Sequence, residues 1–301
     1  MVAPAQVMGV LNTTPDSFSD GGRHVAVDAA RARVLEMLDH GANVVDVGGE
    51  STRPGAAPVD PVAEQARVLP VLEAVADDCA ARGVRLSIDT RHPHSSHAAI
   101  DRGATLVNDV SASLWTVAAE RGVGWVAMHM VGDPRTMQRN PVYDDVVADV
   151  RSFLVDRATT ARDAGVAEVW VDPGIGFGKT TAHNLALLGR LDDLVAEGFP
   201  GVVRTSRKRS LGVLLARSDA GLAPHRGPQP GPQRGGRGLE GPEPVPVGDR
   251  LVGSLTTASW AMILGARMVR VHDVGATVRA ALAVAAVRSA SDGPDTGRPG
   301  R

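Results

Sequence analysis

Short runs of apolar and β-branched residues alternate along this chain with longer stretches whose apolar residues recur three and four positions apart. The runs lie at 6–12 (QVMGVLN), 44–50 (VVDVGGE), 85–90 (RLSIDT), 105–110 (TLVNDV), 124–129 (GWVAMH), 169–174 (VWVDPG), 201–207 (GVVRTSR) and 268–274 (MVRVHDV). Near-continuous apolar character over so few residues fits strands covered on both faces, and the spaced stretches, such as VDAARARVLEMLDHGA, fit amphipathic helices. Several helical stretches stop at a glycine before a fresh apolar run, at Gly41, Gly83, Gly103, Gly165 and Gly265. Strand-then-helix units with right-handed crossovers predict an α/β fold, a single-domain (β/α)8 TIM barrel over residues 1–290. An open doubly wound sheet is the competing topology.

One region breaks the alternation. Residues 218–247 are dense in proline and glycine and nearly free of large apolar side chains, as is the tail at 291–301. Such segments bury too little surface to offset the entropy of ordering, so both are expected to be disordered. The insertion is expected between the seventh strand and its helix pattern, which resumes at GDRLVGSLTTASWAMILGA.

Composition narrows the function classes. The chain has 301 residues, 43% hydrophobic, with a formal charge of −2, which argues against a binder of nucleic acid or of acidic membrane surfaces. A lone cysteine, Cys79, fits a reducing compartment. Neither a signal peptide nor a membrane span is legible, so a soluble cytoplasmic protein is expected.

Polar residues collect where the predicted strands end: Asn12, Glu50 to Arg53, Asp89, Asn108 and Asp109, His129, Asp172, Ser206 to Lys208, and Arg270, His272 and Asp273. In a closed parallel barrel those ends form one face, where active sites assemble. Asp89, Asn108, Asp172 and Lys208 suit a flat heterocycle, the carboxylates accepting from ring N–H groups and the lysine serving a carbonyl or ring nitrogen. Asn12, Thr52, Arg53, Arg270 and His272 suit a phosphate or pyrophosphate. Taken singly, Asp172 with Pro173 could be only a turn and His272 only a core histidine. DPGIGFGKT (172–180) lacks the spacing of a phosphate-binding loop; its glycines are expected to allow tight turns and bring Phe177 to the rim. No His/Cys/Asp cluster has metal-ligand spacing, but a magnesium ion bridging phosphate oxygens needs only one or two protein oxygens, and Asn12 could supply one.

The blocks MGVLNTTPDSFSDGG, VVDVGGESTRPGA, SIDT, LVNDVS, MHMVGDPRTMQ with PVYDDVV, DPGIGFGK with HNL, TSRKRSLG and VRVHDV together resemble the dihydropteroate synthase family, over nearly the whole chain. The resemblance implies condensation of 6-hydroxymethyl-7,8-dihydropterin pyrophosphate with 4-aminobenzoate, with Mg2+ as cofactor and a homodimer as the working unit. It also implies a pterin pocket of Asp89, Asn108, Met128, Asp172 and Lys208. Pyrophosphate and its Mg2+ fall to Asn12, Thr52, Arg53, Arg270 and His272, and aminobenzoate to Phe18, Pro54, Phe177 and Ser206. The 9–22 stretch looks like the family's mobile lid, with Asp20 stabilising the reacting cation; Lys208, Arg270 and His272 complete the expected catalytic set.

Three features depart from the family pattern. Arg204 stands in the seventh strand where a small residue, often glycine, is usual, and is expected to point outward or to find a carboxylate. The SASLWTVAAERGVGW stretch is short and implies a truncated fourth helix, and the 218–247 insertion follows Lys208. Two alternatives keep the fold: a pterin-binding homologue without turnover, and a methyltetrahydrofolate-dependent methyltransferase, which would need neither the SRK block nor the lid.

Overall fold

Each apolar run forms a strand and each is followed by helix. In the computed structural model, which describes residues 2–13, 22–51, 55–221 and 243–291, the strands are β1 (Gln6–Asn12), β2 (Val44–Gly48), β3 (Arg85–Asp89), β4 (Ala104–Asp109), β5 (Gly124–Met128), β6 (Val169–Asp172), β7 (Val202–Val203) and β8 (Met268–Val271). They form one sheet in the order β6-β5-β4-β3-β2-β1-β8-β7 with parallel pairing throughout. A parallel bridge between Val171 and Gly201 joins its two edges, and the Val171 N–H donates to the Pro200 carbonyl at 3.0 Å. The sheet therefore closes into the expected (β/α)8 barrel, which removes both edges.

The helices are α1 (Gly22–Asp39), α2 (Pro61–Ala81), α3 (Pro93–Ile100), α4 (Trp115–Arg121), α5 (Val146–Asp163), α6 (Thr181–Gly189), α7 (Leu191–Val195), α8 (Arg209–Asp219), α9 (Leu251–Ile263) and α10 (Val274–Ser291). Asp60 and Asp145 cap α2 and α5, each accepting two backbone N–H bonds from the first turn. The five predicted stop glycines all take positive φ. Helix α4 has 7 residues against 21 in α2, so the fourth unit is indeed short. Among the described residues no helix is long and apolar enough to cross a membrane.

Two expectations about the seventh unit need correction. Regular pairing in β7 spans only Val202–Val203 rather than 201–207; Arg204 and Thr205 are unpaired in the sheet and the chain turns at Arg207 (φ 59°). The Pro/Gly stretch does not follow β7 directly: α8 intervenes and continues through Asp219, so the stretch joins two helices. On its far side the Val245 N–H donates to the Gly212 carbonyl at 3.2 Å, and a 3-10 turn begins at Val247. Residues 218–221 and 243–247 are thus part of the ordered structure, and residues 222–242 and 292–301 lie outside the described residues.

Side chains pointing into the barrel alternate along each strand, as period two requires. Met8, Val44, Leu106, Val126, Trp170, Val202 and Met268 pack together as an apolar plug inside it. A separate, larger core fills the space between strands and helices. The plug seals the barrel below the face on which the strands end.

Candidate active site

One inward step above the plug, the residue types change. Two positions beyond Val44, Leu106, Val126, Trp170, Val202 and Met268 stand Asp46, Asn108, Met128, Asp172, Arg204 and Arg270. Strand geometry thus turns a linear alternation into a ring around the mouth that is polar except at Met128. Asp89 joins it from β3: the ladder sets Asn12 opposite Gly48, Gly48 opposite Asp89, and Asp89 opposite Asn108.

The ring is wired as one network. Arg204 donates through Nε to Asp172 Oδ2 at 2.5 Å and through Nη2 to Asn108 Oδ1 at 2.6 Å. Asn108 Nδ2 donates to Asp46 Oδ2 at 2.9 Å, and the same oxygen accepts from Arg270 Nε at 2.6 Å. Arg270 Nη2 reaches Asp89 Oδ2 at 2.6 Å. Asp172 and Arg270 therefore share one mouth of the barrel. Arg204, 3% exposed, takes the second of its two expected courses and finds a carboxylate.

Burial and charge set the proton affinities. Burial pushes the Asp89 carboxyl up to about 6, with the Asp46 charge adding and Arg270 opposing. Burial works against the Arg270 charge too, but Asp46 and Asp89 outweigh it and hold the guanidinium above its ordinary range. Lys208 is pulled down to about 7, first by burial and then by the nearby Arg204 charge.

The next inward step carries His272 of the anion-binding candidates and Ser206 of the aminobenzoate candidates. Ser206, two beyond Arg204, lies 3.0 Å from His272 Nδ1, two beyond Arg270, and the His272 N–H donates to Ser206 Oγ at 3.2 Å. Arg33 of α1 holds the His272 carbonyl through Nη2 at 2.9 Å. Beyond Ser206 the left-handed Arg207 re-aims the chain. A non-glycine residue at positive φ needs support, and here Asp273 takes its guanidinium, Ser254 Oγ its N–H and Arg250 its carbonyl. The turn delivers Lys208 Nζ to 4.0 Å from the centre of the Phe177 ring.

Phe177 departs from expectation. It is 4% exposed and packs with Val110, Met128 and Met137 instead of standing at the rim. The cause is the loop after β6. Gly174 has φ 65°, and a Cβ there would lie 1.9 Å from the His129 carbonyl oxygen, so only glycine lets the loop fold this tightly over β5. Lys179 fastens it from beneath, donating to the Gly174 carbonyl at 3.1 Å and the Phe177 carbonyl at 3.0 Å, with Nζ 2.9 Å from His129 Nδ1. Burial brings the Lys179 ammonium down to about 7; burial, with Lys179 beside it, brings His129 down to about 3, so the imidazole is neutral and accepts. His129 is thus a structural clamp.

Phe18, Asp20, Thr52, Arg53 and Pro54 lie outside the described residues. Asp46, Lys179 and the inward direction of Arg204 were missed as site residues in the sequence. The signal for Asp46 and Arg204 was available, since each falls two positions after an inward valine; nothing local marks Lys179 as buried. Among the described residues no three His, Cys, Asp or Glu side chains are grouped to hold a metal ion. Asn12 at the end of β1 is the residue whose amide oxygen could meet such an ion. That donor set fits a magnesium ion held mainly by phosphate oxygens and water, and does not fit a protein-caged metal.

Comparison with known proteins places the chain in a family. The pterin binding enzyme family model matches residues 8–272. The dihydropteroate synthase of Mycobacterium leprae is 42% identical over 294 residues, covering 95% of this chain and 94% of its own length. That of Escherichia coli K12 is 39% identical over 292 residues, covering 95% and 93%. Among solved structures, the Yersinia pestis dihydropteroate synthase with a sulfonamide drug complex superposes with a TM-score of 0.80 at 39% identity, covering 95% of each chain. The Xanthomonas albilineans enzyme in complex with 7,8-dihydropteroate does so at 0.76 and 37% identity, covering 96% and 95%. With a matching family model, relatives of this identity and coverage, and one polar ring at the mouth of a shared barrel, this chain belongs to the dihydropteroate synthase family of pterin binding enzymes.

Proposed function

We propose that this chain is a transferase of folate biosynthesis, condensing 6-hydroxymethyl-7,8-dihydropterin pyrophosphate with 4-aminobenzoate to give 7,8-dihydropteroate and pyrophosphate. The observation that carries the reading is the inward ring itself: Asp89, Asn108, Asp172 and Arg270 meet in one network, with Lys208 and Met128 beside Phe177 and the Ser206–His272 pair one step above. Asp172 and Asn108 read the amino-pyrimidinone edge, Lys208 donates to the ring carbonyl, and Asp89 accepts from a ring N–H. Met128 forms the apolar floor. Arg270 bonds the acids through Nε and Nη2, so Nη1 is the edge assigned to the pyrophosphate, together with His272, Asn12, Thr52 and Arg53. Aminobenzoate is assigned to Phe18, Pro54, Phe177 and Ser206.

The chemistry asks little of acid–base catalysis. Cleavage of the methylene C–O bond sends its electron pair to the departing oxygen and leaves a cation conjugated with the dihydropterin ring. Charge grows on the leaving group, so Arg270 and His272 bind the transition state more tightly than the ground state. Asp20 of the lid stabilises the cation, and lid closure keeps water from capturing it. The aniline lone pair then forms the C–N bond, and the extra proton passes to the released pyrophosphate. Asn12 is the residue assigned to the Mg2+, which when bound neutralises phosphate charge. A homodimer completes the reading by family resemblance.

Purified protein given both substrates and Mg2+ should release pyrophosphate only when 4-aminobenzoate is present, with one dihydropteroate formed for each. Pterin binding without turnover would select the second reading, a homologue that has lost catalysis. The Arg204–Asp172 pair is the observation that favours that reading, because it engages a group assigned to the substrate.

A further inference from the structure

Arg204 has no role in the reaction just described, yet it touches two of the groups assigned to the heterocycle. Its position is fixed by the strand: two residues beyond Val202 of the apolar plug, pointing inward, 3% exposed. Asp172, itself fully buried, has both of its oxygens engaged in this arrangement. Oδ2 accepts from Arg204 Nε at 2.5 Å, and Oδ1 accepts the Gly174 N–H at 2.7 Å. Asn108 is engaged on both sides of its amide, accepting from Arg204 Nη2 at 2.6 Å and donating to Asp46 at 2.9 Å.

The chemistry of the occupant matters. A guanidinium is the open-chain counterpart of a 2-amino-pyrimidin-4-one: each is a planar N–C–N unit offering adjacent N–H donors to a carboxylate. We propose that Arg204 occupies the heterocycle site of the free protein in place of the pterin's guanidine-like edge, and must leave both Asp172 and Asn108 before a pterin can bind. Arg204 is thus a positioning residue that sets pterin affinity. The inference rests on the pterin assignment above and deepens it.

Displacement has a cost that binding must cover. The guanidinium leaves a fully buried carboxylate and needs a new partner or water, and a buried charge parted from its counter-ion is unfavourable. The ligand's observed affinity falls by the fraction of protein in which the site is open. Nothing in this cost touches the aminobenzoate slot, so the effect is confined to one substrate.

The test compares the wild-type protein with Arg204→Gly and Arg204→Ala, both confirmed folded by circular dichroism. Titration uses 6-hydroxymethyl-7,8-dihydropterin pyrophosphate with Mg2+, without and then with 4-aminobenzoate. The expected result is at least about tenfold tighter pterin binding and a matching fall in the pterin KM, with the aminobenzoate KM unchanged. Equal or weaker pterin binding by a folded variant overturns the inference, and if the wild type turns over in that case the proposed function still stands. Tighter binding without turnover in any of the three proteins supports the inference and removes the proposed function. Should neither variant fold, a crystal structure of the wild-type complex decides. Arg204 displaced from Asp172 supports the inference; the pair intact beside a bound pterin overturns it.

Discussion

Arg270 holds Asp46 and Asp89 at once, so its substitution reports on both charge and architecture. Arg270→Ala should lower kcat by about 100- to 1,000-fold, the cost of removing one donor from a developing oxyanion; steady-state kinetics would show it, and an unchanged kcat would remove Arg270 from the leaving-group site. Asp46, which bonds Arg270 and Asn108 through one oxygen, is the joint between the anion and heterocycle halves. Asp46→Ala leaves a buried guanidinium and amide without that partner and should cost about 3–5 kcal/mol of stability by urea denaturation, a loss absent at exposed acids such as Asp163. The two shifted groups give a pH signature. Pterin capture needs Asp89 ionised, above about 6, and Lys208 protonated, below about 7. The pterin kcat/KM should therefore peak between those values and fall on both sides, the alkaline limb vanishing in Lys208→Met.

At the scale of elements, the loop after β6 owes its shape to Gly174 and to the buried Lys179. Lys179→Met leaves the Gly174 and Phe177 carbonyls without their donor and should destabilise the protein by about 2–3 kcal/mol. Lys179 falls from 10.5 to about 7 on folding, so between those values the unfolded chain binds more protons. Stability from this group accordingly rises with pH through that window, because the penalty for burying a charged ammonium is present below about 7 and disappears as the lysine neutralises. Denaturation midpoints across the range, in wild type and Lys179→Met, would reveal the slope and its loss. These elements also explain what could be read in advance. Strand β1 was legible to the residue because its apolar run is bounded by polar neighbours. The alternation that aims Asp172 and Arg270 inward was equally present around Asp46 and Arg204. It was overlooked because a carboxylate in VVDVG reads as an interruption of a buried strand. Lys179 was illegible because a lysine after GFG has the local signature of a solvated turn; only the return of the loop onto His129 buries it.

For the whole molecule, one closed sheet places every strand's carboxyl end on one face, and the inward columns change from apolar to polar at the same height on five strands. The fold was legible because buried parallel strands and stop glycines leave strong local marks, whereas the polar network depends on barrel curvature, which no local window contains. Replacing residues 222–242 with a short glycine linker should leave the thermal midpoint within about 2 °C, because α8 and the 243–250 segment already bond each other through Gly212 and Val245; unfolding would refute the expectation that this stretch is dispensable. The central claim is that the inward ring reads the heterocycle. Its most direct test is a crystal structure of the protein with 7,8-dihydropteroate bound. The account predicts the pterin ring against Asp172, Asn108, Asp89 and Lys208, with the aminobenzoyl group directed towards Phe177 and Ser206. A product seated anywhere else on the barrel, with these side chains at more than hydrogen-bonding distance, would contradict it.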